Sequence, residues 1–151
     1  MAEQIEEIPD ADAVSRQLDS PLMYDEFKGV IWSTAFMFSE PVESLVWRKY
    51  KVAINEVHDL GCGRQANVRQ RKPLWTYIGA ITTTAGQIRA IRTARGHGLA
   101  VAHRPEEDQG SYHAEVELLP VEGQKIRSND RAELRLMLEK VFGPIEGHTC
   151  P

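Results

Sequence analysis

The stretch GLAVAHRPEEDQGSYHAEVELL, residues 98–119, predicts the element around which the fold is organised. Two segments rich in alternating apolar residues flank a polar, acidic loop that contains Pro105 and Gly110. This pattern is typical of a β-hairpin. The chain should therefore contain a sheet in which neighbouring strands run antiparallel.

Two registers are open to this hairpin, and they place its histidines differently. If His103 pairs with His113, acidic residues lie opposite apolar ones. If His103 pairs with Tyr112, Val101 lies opposite Ala114 and both strands share one apolar face. Because burial specifies the register of a strand strongly, we predict that His103 faces the core and that His113 faces outward, exposed and reactive.

The other segments predict further strands and about three helices. Residues 29–38 and 74–82 have the apolar, β-branched composition of buried strands. Apolar spacing predicts helices over residues 41–60 and 84–95, each ended by a glycine, although part of the first segment (LVWRKYKV) also fits a strand. A last helix should begin within two residues of Asp130, with an apolar face formed by Leu134, Met137, Leu138 and Val141.

This order of elements predicts an α+β fold. We expect a single domain with a mostly antiparallel sheet of four or five strands packed by about three helices, because 151 residues is the size of one typical domain. The domain should span residues 21–143. A flexible acidic lead-in at residues 1–20 should precede it, and a mobile C-terminal tail at residues 144–151 should follow.

Charge is distributed unevenly along the chain, whose formal net charge is -4. Residues 1–45 carry ten acids and two bases, residues 46–105 eleven bases and two acids, and residues 106–151 ten acids and five bases. A basic middle segment is typical of proteins that bind a polyanion. The alternative is that the acidic ends fold back and neutralise the middle, since linear charge blocks do not define surface patches.

Arginines in the basic middle are the candidate phosphate ligands. Arg89, Arg92 and Arg95 should lie in one row along the helix at residues 84–95, where successive guanidinium groups could bind successive phosphates. The other candidate phosphate contacts are Arg104 in the hairpin and, in the connection after the first helix, Arg69, Arg71 and Lys72.

Histidines near these arginines suggest acid–base chemistry. His113 and His97 are the candidate catalytic residues, with Arg92 and Arg95 stabilising the charge of the transition state. This combination suits metal-independent cleavage of a phosphodiester.

Metal and cofactor sites are not predicted. His58, Cys62, His148 and Cys150 could make a tetrahedral zinc site, but Gly61 should break the helix between the first pair, and the second pair lies on the tail. Glu106, Glu107 and Asp108 in the hairpin loop fit a solvated turn better than a cation site. No nucleotide or cofactor motif is present.

These observations predict a small cytoplasmic protein that binds nucleic acid or another phosphate-bearing ligand. A metal-independent ribonuclease or toxin-like effector is one form of such a protein, and the sequence does not decide whether it is an enzyme. The alternative is a non-catalytic interaction module that binds an acidic protein through the basic middle, with Trp47 and Lys51 at the interface. The N-terminus lacks the apolar run of a signal peptide, and no segment is apolar for long enough to span a membrane. The sequence does not predict an oligomeric state.

Overall fold

The fold is built on one antiparallel sheet in the order β6-β7-β4-β1-β5-β8. The computed structural model describes residues 4–20, 23–25, 30–31, 42–106 and 110–151. Six strands form the sheet: β1 (Ala13–Ser20), β4 (Val42–Trp47), β5 (Thr76–Thr84), β6 (Gly98–His103), β7 (His113–Leu119) and β8 (Glu146–Gly147). Two short strands, β2 (Tyr24–Asp25) and β3 (Val30–Ile31), pair with each other.

Within the described residues, three helices cover the sheet: α1 (Ile54–Val68), α2 (Ala85–Arg89) and α3 (Ser128–Val141). A large apolar cluster on one face of the sheet includes Ile88 of α2 with Leu134 and Leu138 of α3. A smaller cluster joins Val57 of α1 to Val46 and Ala80, on the other face. The α+β prediction is confirmed, with six strands in the main sheet rather than four or five.

The hairpin exists, but its register is shifted. His103 pairs with Ala114 and Val101 with Val116, so the strands share the apolar face that was predicted although every partner differs by two residues. Burial selects which face points inward, and a shift of two residues preserves that choice. As expected, His103 lies on the core face and stacks edge-on against Trp47, with 5.0 Å between ring centroids.

The C-terminal helix begins at Ser128, two residues before Asp130, as predicted. Asp130 is not the residue that precedes the helix, since that position is Arg127. It lies in the first turn, where its Oδ2 accepts a hydrogen bond from the Arg127 backbone N–H at 2.8 Å. Leu134 and Leu138 are fully buried, and Met137 and Val141 pack partly buried against the same cluster.

The predicted helix over residues 41–60 is wrong in its first half, which is a strand. In its second half a helix is present, but it extends beyond the predicted end. Residues 42–47 form β4, because pairing with β1 and β7 overrides a spacing that also fits a strand. Helix α1 begins at Ile54 and passes through Gly61 to Val68. Gly61 is a packing residue there, since a Cβ would lie 2.4 Å from the Tyr77 ring.

Both chain ends contribute to the sheet. Residues 13–20, part of the predicted lead-in, form β1 between β4 and β5 with Val14 and Leu18 buried. At the other end β8 pairs with β5 at the sheet edge, and Cys150 forms a disulfide with Cys62 of α1. These contacts attach the segment for which the sequence predicted a mobile tail. The predicted strand at residues 29–38 lies outside the described residues except for positions 30–31.

Candidate functional site

A polar cleft lies between α1 and the strands β1, β4 and β7. Its volume is about 490 Å³. We call it the α1 cleft, and its lining residues are Ser15, Arg16, Gln17, Ser44, Leu45, Val46, Leu60, Gly63, Arg64, Asn67, Tyr112 and His113. The cleft forms where β1 and β4 separate, since these strands pair only at Val14–Trp47 and Ser15–Val46.

His113 is held in one orientation at the wall of this cleft. It is 3% exposed, so the prediction that it faces outward is right about the face of the hairpin and wrong about exposure, because Ser44 and Glu106 lie against its ring. Its Nδ1 donates to the Arg104 backbone carbonyl at 2.8 Å. In the neutral ring Nε2 is then an acceptor, and the Ser44 hydroxyl donates to it at 3.3 Å.

Two carboxylates stand near this histidine. Glu106 Oε1 lies 3.5 Å from His113 Nδ1, and ligand atoms of Glu106, His113 and Glu115 all lie within 4.8 Å of one another. Burial raises the pKa of Glu115, with Glu117 adding to the effect and His113 opposing it. Nδ1 of His113 already donates to a carbonyl and is therefore not free to bind a metal. The arrangement of Glu106, His113 and Glu115 thus favours a histidine that acts as a base over a metal ligand.

Two arginines line the α1 cleft, and Arg64 carries its positive charge, because Arg16 is paired with Glu43. Arg64 is exposed on α1, with its guanidinium 5.5 Å from the centre of the Trp75 ring. Arg16 is buried beneath the gap between β1 and β4, where it donates to the Ser44 carbonyl at 2.9 Å and to Glu43 Oε2 at 2.9 Å. Burial lowers the pKa of Arg16, and Glu43 opposes that effect.

The predicted arginine row does not exist, because α2 ends at Arg89. Three of the four arginines between residues 89 and 104 pair with acids of the chain itself: Arg89 with Asp10, Arg95 with Asp130 and Arg104 with Glu117, at 2.8, 3.1 and 3.0 Å. Arg92 bonds to the backbone carbonyls of Arg89 and Ile91. These contacts favour the alternative in which acidic segments neutralise this part of the basic middle.

We expect Arg89→Ala to destabilise the protein and Arg92→Ala not to. Arg89 donates to the backbone carbonyls of Ile8 and Val101 at 2.6 and 2.9 Å, so it joins the N-terminal segment to β6. Loss of these bonds should lower the free energy of unfolding by about 1–3 kcal/mol. Arg92 is exposed and carries the same charge, but its bonds go to carbonyls three residues and one residue away. Its loss separates no distant segments and should cost less than about 0.5 kcal/mol. Urea titration of both variants measures the difference. Equal midpoints would contradict the role of Arg89 in joining the N-terminal segment to β6.

His97 and the interface candidates lie away from the α1 cleft. His97 is fully buried, and its Nδ1 accepts from the Val121 backbone N–H at 3.0 Å. Asp130 lies between His97 and Arg95, at 3.7 and 3.1 Å. Trp47 is 1% exposed and its indole N–H bonds Asp12. Its proposed role as an interface anchor is therefore wrong, because it lies on β4 facing the core rather than on an exposed helix face.

The remaining predicted cations are near the end of α1 or beside the cleft. Arg69 bonds Trp75 O and Thr76 Oγ1, so it closes the loop after α1. Arg71 and Lys72 are exposed in that loop. Lys51 lies 5.4 Å from the ring centre of Tyr112, a cleft residue. Across the described ranges, no acidic side chain forms an ion pair within 4.0 Å with Arg64, Arg71 or Lys72.

Of the predicted site residues, only His113 lines the α1 cleft. Sequence reasoning missed Ser44, Arg16 and Arg64, which come from β4, β1 and α1. Arg16 carried no clear signal, because its segment AVSRQLDS is mostly polar and shows no apolar alternation. Ser44 carried none, since a serine beside a histidine 69 residues later becomes visible only when β4 pairs with β7.

The fold and the cleft define an α+β protein with a six-stranded antiparallel sheet and a polar cleft beneath one helix. Neither a family model, a curated protein nor a solved structure matches this chain. In the part of the chain that the structure describes, no helix has the length and apolar character needed to cross a membrane.

Proposed function

We propose that the protein binds a phosphate-bearing ligand in the α1 cleft and that His113 acts there as a general base. Single-stranded RNA is the polymeric ligand that fits this chemistry. On this proposal the protein is a metal-independent ribonuclease. The observation that carries the proposal is the His113 ring, whose Nδ1 is occupied by a carbonyl while Nε2 accepts a bond from a hydroxyl in the cleft.

Ser44 indicates the kind of group that His113 can deprotonate. A substrate hydroxyl in the place of the Ser44 hydroxyl would give its proton to Nε2 and attack the neighbouring phosphorus, while the leaving oxygen takes a proton from water. In RNA this hydroxyl is the 2′-hydroxyl. Arg64 would pair with a phosphate oxygen, since a guanidinium group donates two parallel hydrogen bonds to such an anion.

The basic surface supports a strand longer than one nucleotide. Arg71 and Lys72 follow α1 within two turns of Arg64, and their side chains are exposed. We propose that they extend the phosphate-binding surface beyond the cleft, whereas Arg89, Arg95 and Arg104 are paired within the chain. The phosphate contacts that we propose are therefore Arg64, Arg71 and Lys72, rather than the row at residues 89–95.

The test uses a labelled single-stranded RNA and a DNA of the same sequence, with binding and cleavage measured separately. His113→Asn should slow RNA cleavage by about 10²–10⁴-fold, the usual contribution of a general base, with little change in affinity. Arg64→Ala should weaken binding of both strands and reduce the slope of log affinity against log salt by about 0.7. The DNA should bind without being cleaved, because it lacks the 2′-hydroxyl.

Arg92→Ala is the matched control, since it removes an exposed arginine that does not line the cleft. It should leave both affinity and cleavage unchanged. If wild-type protein bound neither strand at low salt, the proposal would fail. Binding without cleavage would leave the site as a phosphate-binding module and remove the catalytic role of His113.

A further inference from the structure

Two pairs of residues from distant parts of the sequence meet beside β8. Each pair consists of one histidine and one cysteine. Cys62 and Cys150 form a disulfide, and ligand atoms of Cys62, His148 and Cys150 all lie within 4.8 Å of one another. The His58 ring stacks on the His148 ring with 4.4 Å between centroids and 11° between planes. We call these four residues the Cys/His cluster.

We propose that the Cys/His cluster is a zinc site when its two cysteines are reduced. Two thiolates and two imidazoles are a ligand set that tetrahedral structural zinc sites use. With zinc–ligand bonds of about 2.0–2.3 Å, tetrahedral ligand atoms lie about 3.3–3.8 Å apart. The ligand atoms of Cys62, His148 and Cys150, all within 4.8 Å of one another, are close to this geometry. His58, whose ring stacks on that of His148, would complete the set after its side chain moves.

The backbone holds the four ligands from two elements. Helix α1 continues through Gly61, so His58 and Cys62 lie one turn apart on the same helix. The other two ligands follow β8, where the His148 backbone N–H donates to the Ile78 carbonyl at 2.9 Å. The site thus joins a helix to a strand that is already paired, which limits the entropy lost when zinc binds.

An outer hydrogen bond orients one of the histidines. His58 Nδ1 lies 2.8 Å from the Tyr77 hydroxyl, which leaves Nε2 for a metal. Histidines that bind zinc usually use their second ring nitrogen in such a bond, which fixes the ring and its tautomer. A disulfide with two unrelated histidines nearby would not require this arrangement.

The oxidised and zinc-bound forms exclude each other, because the same sulfur atoms make the disulfide and the metal bonds. Reduction by two thiol molecules gives two protein thiols and one external disulfide. Binding of Zn²⁺ then releases one proton from each thiol. The cluster can therefore respond both to zinc and to the thiol–disulfide balance around the protein.

The test is metal binding by the full-length chain, reduced with a phosphine that takes up the oxygen of one water as it converts the disulfide to two thiols. Reduced protein should bind one Co²⁺ per chain with the visible bands of tetrahedral cobalt and a thiolate-to-cobalt charge-transfer band. Zn²⁺ should displace the cobalt. Oxidised protein should show neither band, because its sulfur atoms are bonded to each other.

Single substitutions distinguish the residues that we propose bind zinc from the residues that only surround the site. Cys62→Ser, Cys150→Ser, His148→Ala and His58→Ala should each weaken zinc binding by at least about 100-fold, and Tyr77→Phe by about 10–100-fold, the range of outer hydrogen-bond partners. Thr149→Ala changes the exposed residue between two ligands and should bind zinc like wild type. Circular dichroism of each variant before metal addition shows whether it is folded.

The proposal is overturned if folded, reduced wild-type protein binds zinc no more tightly than the Cys62→Ser/Cys150→Ser variant. It is also overturned if bound cobalt shows the weak bands of octahedral coordination without thiolate charge transfer. As a measurement independent of variant folding, zinc should raise the melting temperature of reduced wild-type protein and leave that of oxidised protein unchanged. An equal effect on both forms would contradict a site made from the cysteines.

Discussion

Reduction of the Cys62–Cys150 disulfide in zinc-free buffer is expected to lower the free energy of unfolding by about 2–4 kcal/mol. The bridge closes a loop between residues 88 positions apart, and in the chain-entropy model such a loop restricts the unfolded chain by up to about 4.6 kcal/mol. The bridge also joins α1 to the segment that follows β8, so its loss should first release the edge of the sheet.

Guanidinium titration with and without reductant, in the presence of a strong chelator, measures this effect. The Cys62→Ser/Cys150→Ser variant should unfold at the midpoint of the reduced protein, and reductant should not change it. An unchanged wild-type midpoint after complete reduction would contradict the prediction. The chelator matters, because zinc bound to the Cys/His cluster would restore part of the lost stability.

Leu138→Ala should lower the free energy of unfolding by about 2–5 kcal/mol. Leu138 is 0% exposed and lies in the large apolar cluster between α3 and the sheet. Truncation removes buried methyl groups and leaves a cavity that the surrounding side chains fill only partly. The change should therefore be close to the full cost for a buried leucine.

Leu136→Ala is the matched control, because it makes the same chemical change on the same helix at a position that is 57% exposed. It should change the free energy of unfolding by less than about 0.5 kcal/mol. Thermal and urea unfolding of the two variants check the comparison. Equal losses would mean that α3 does not pack on the sheet through the face formed by Leu134 and Leu138.

Elements with one dominant local signal were predictable from the sequence. The hairpin formed by β6 and β7 and the helix α3 were recognised because alternating and helical spacing each ran over a whole element with turn or cap residues at its ends. The segment that contains β4 was misassigned, since its apolar residues fit two periods. Pairing with β1 and β7, which lie far away in the sequence, decided between them.

The candidate sites were less predictable than the fold. In the sequence, Gly61 predicts a helix stop between His58 and Cys62, and such a stop argues against a zinc site formed by these residues. The structure places Gly61 against the Tyr77 ring, a contact that no local pattern encodes. The Ser44–His113 pair likewise depends on the register between two strands.

The sequence by itself determined the α+β class, the buried face of α3 and the inward face of the hairpin, because these depend on local periodicity. Tertiary structure alone decided which charges are neutralised within the chain, which histidine lines the α1 cleft and which four side chains form the Cys/His cluster. The physical reason is that each of these sites joins elements distant in the sequence. Their residues meet only after the hydrogen bonds and apolar contacts of the sheet have set the register and the helix positions.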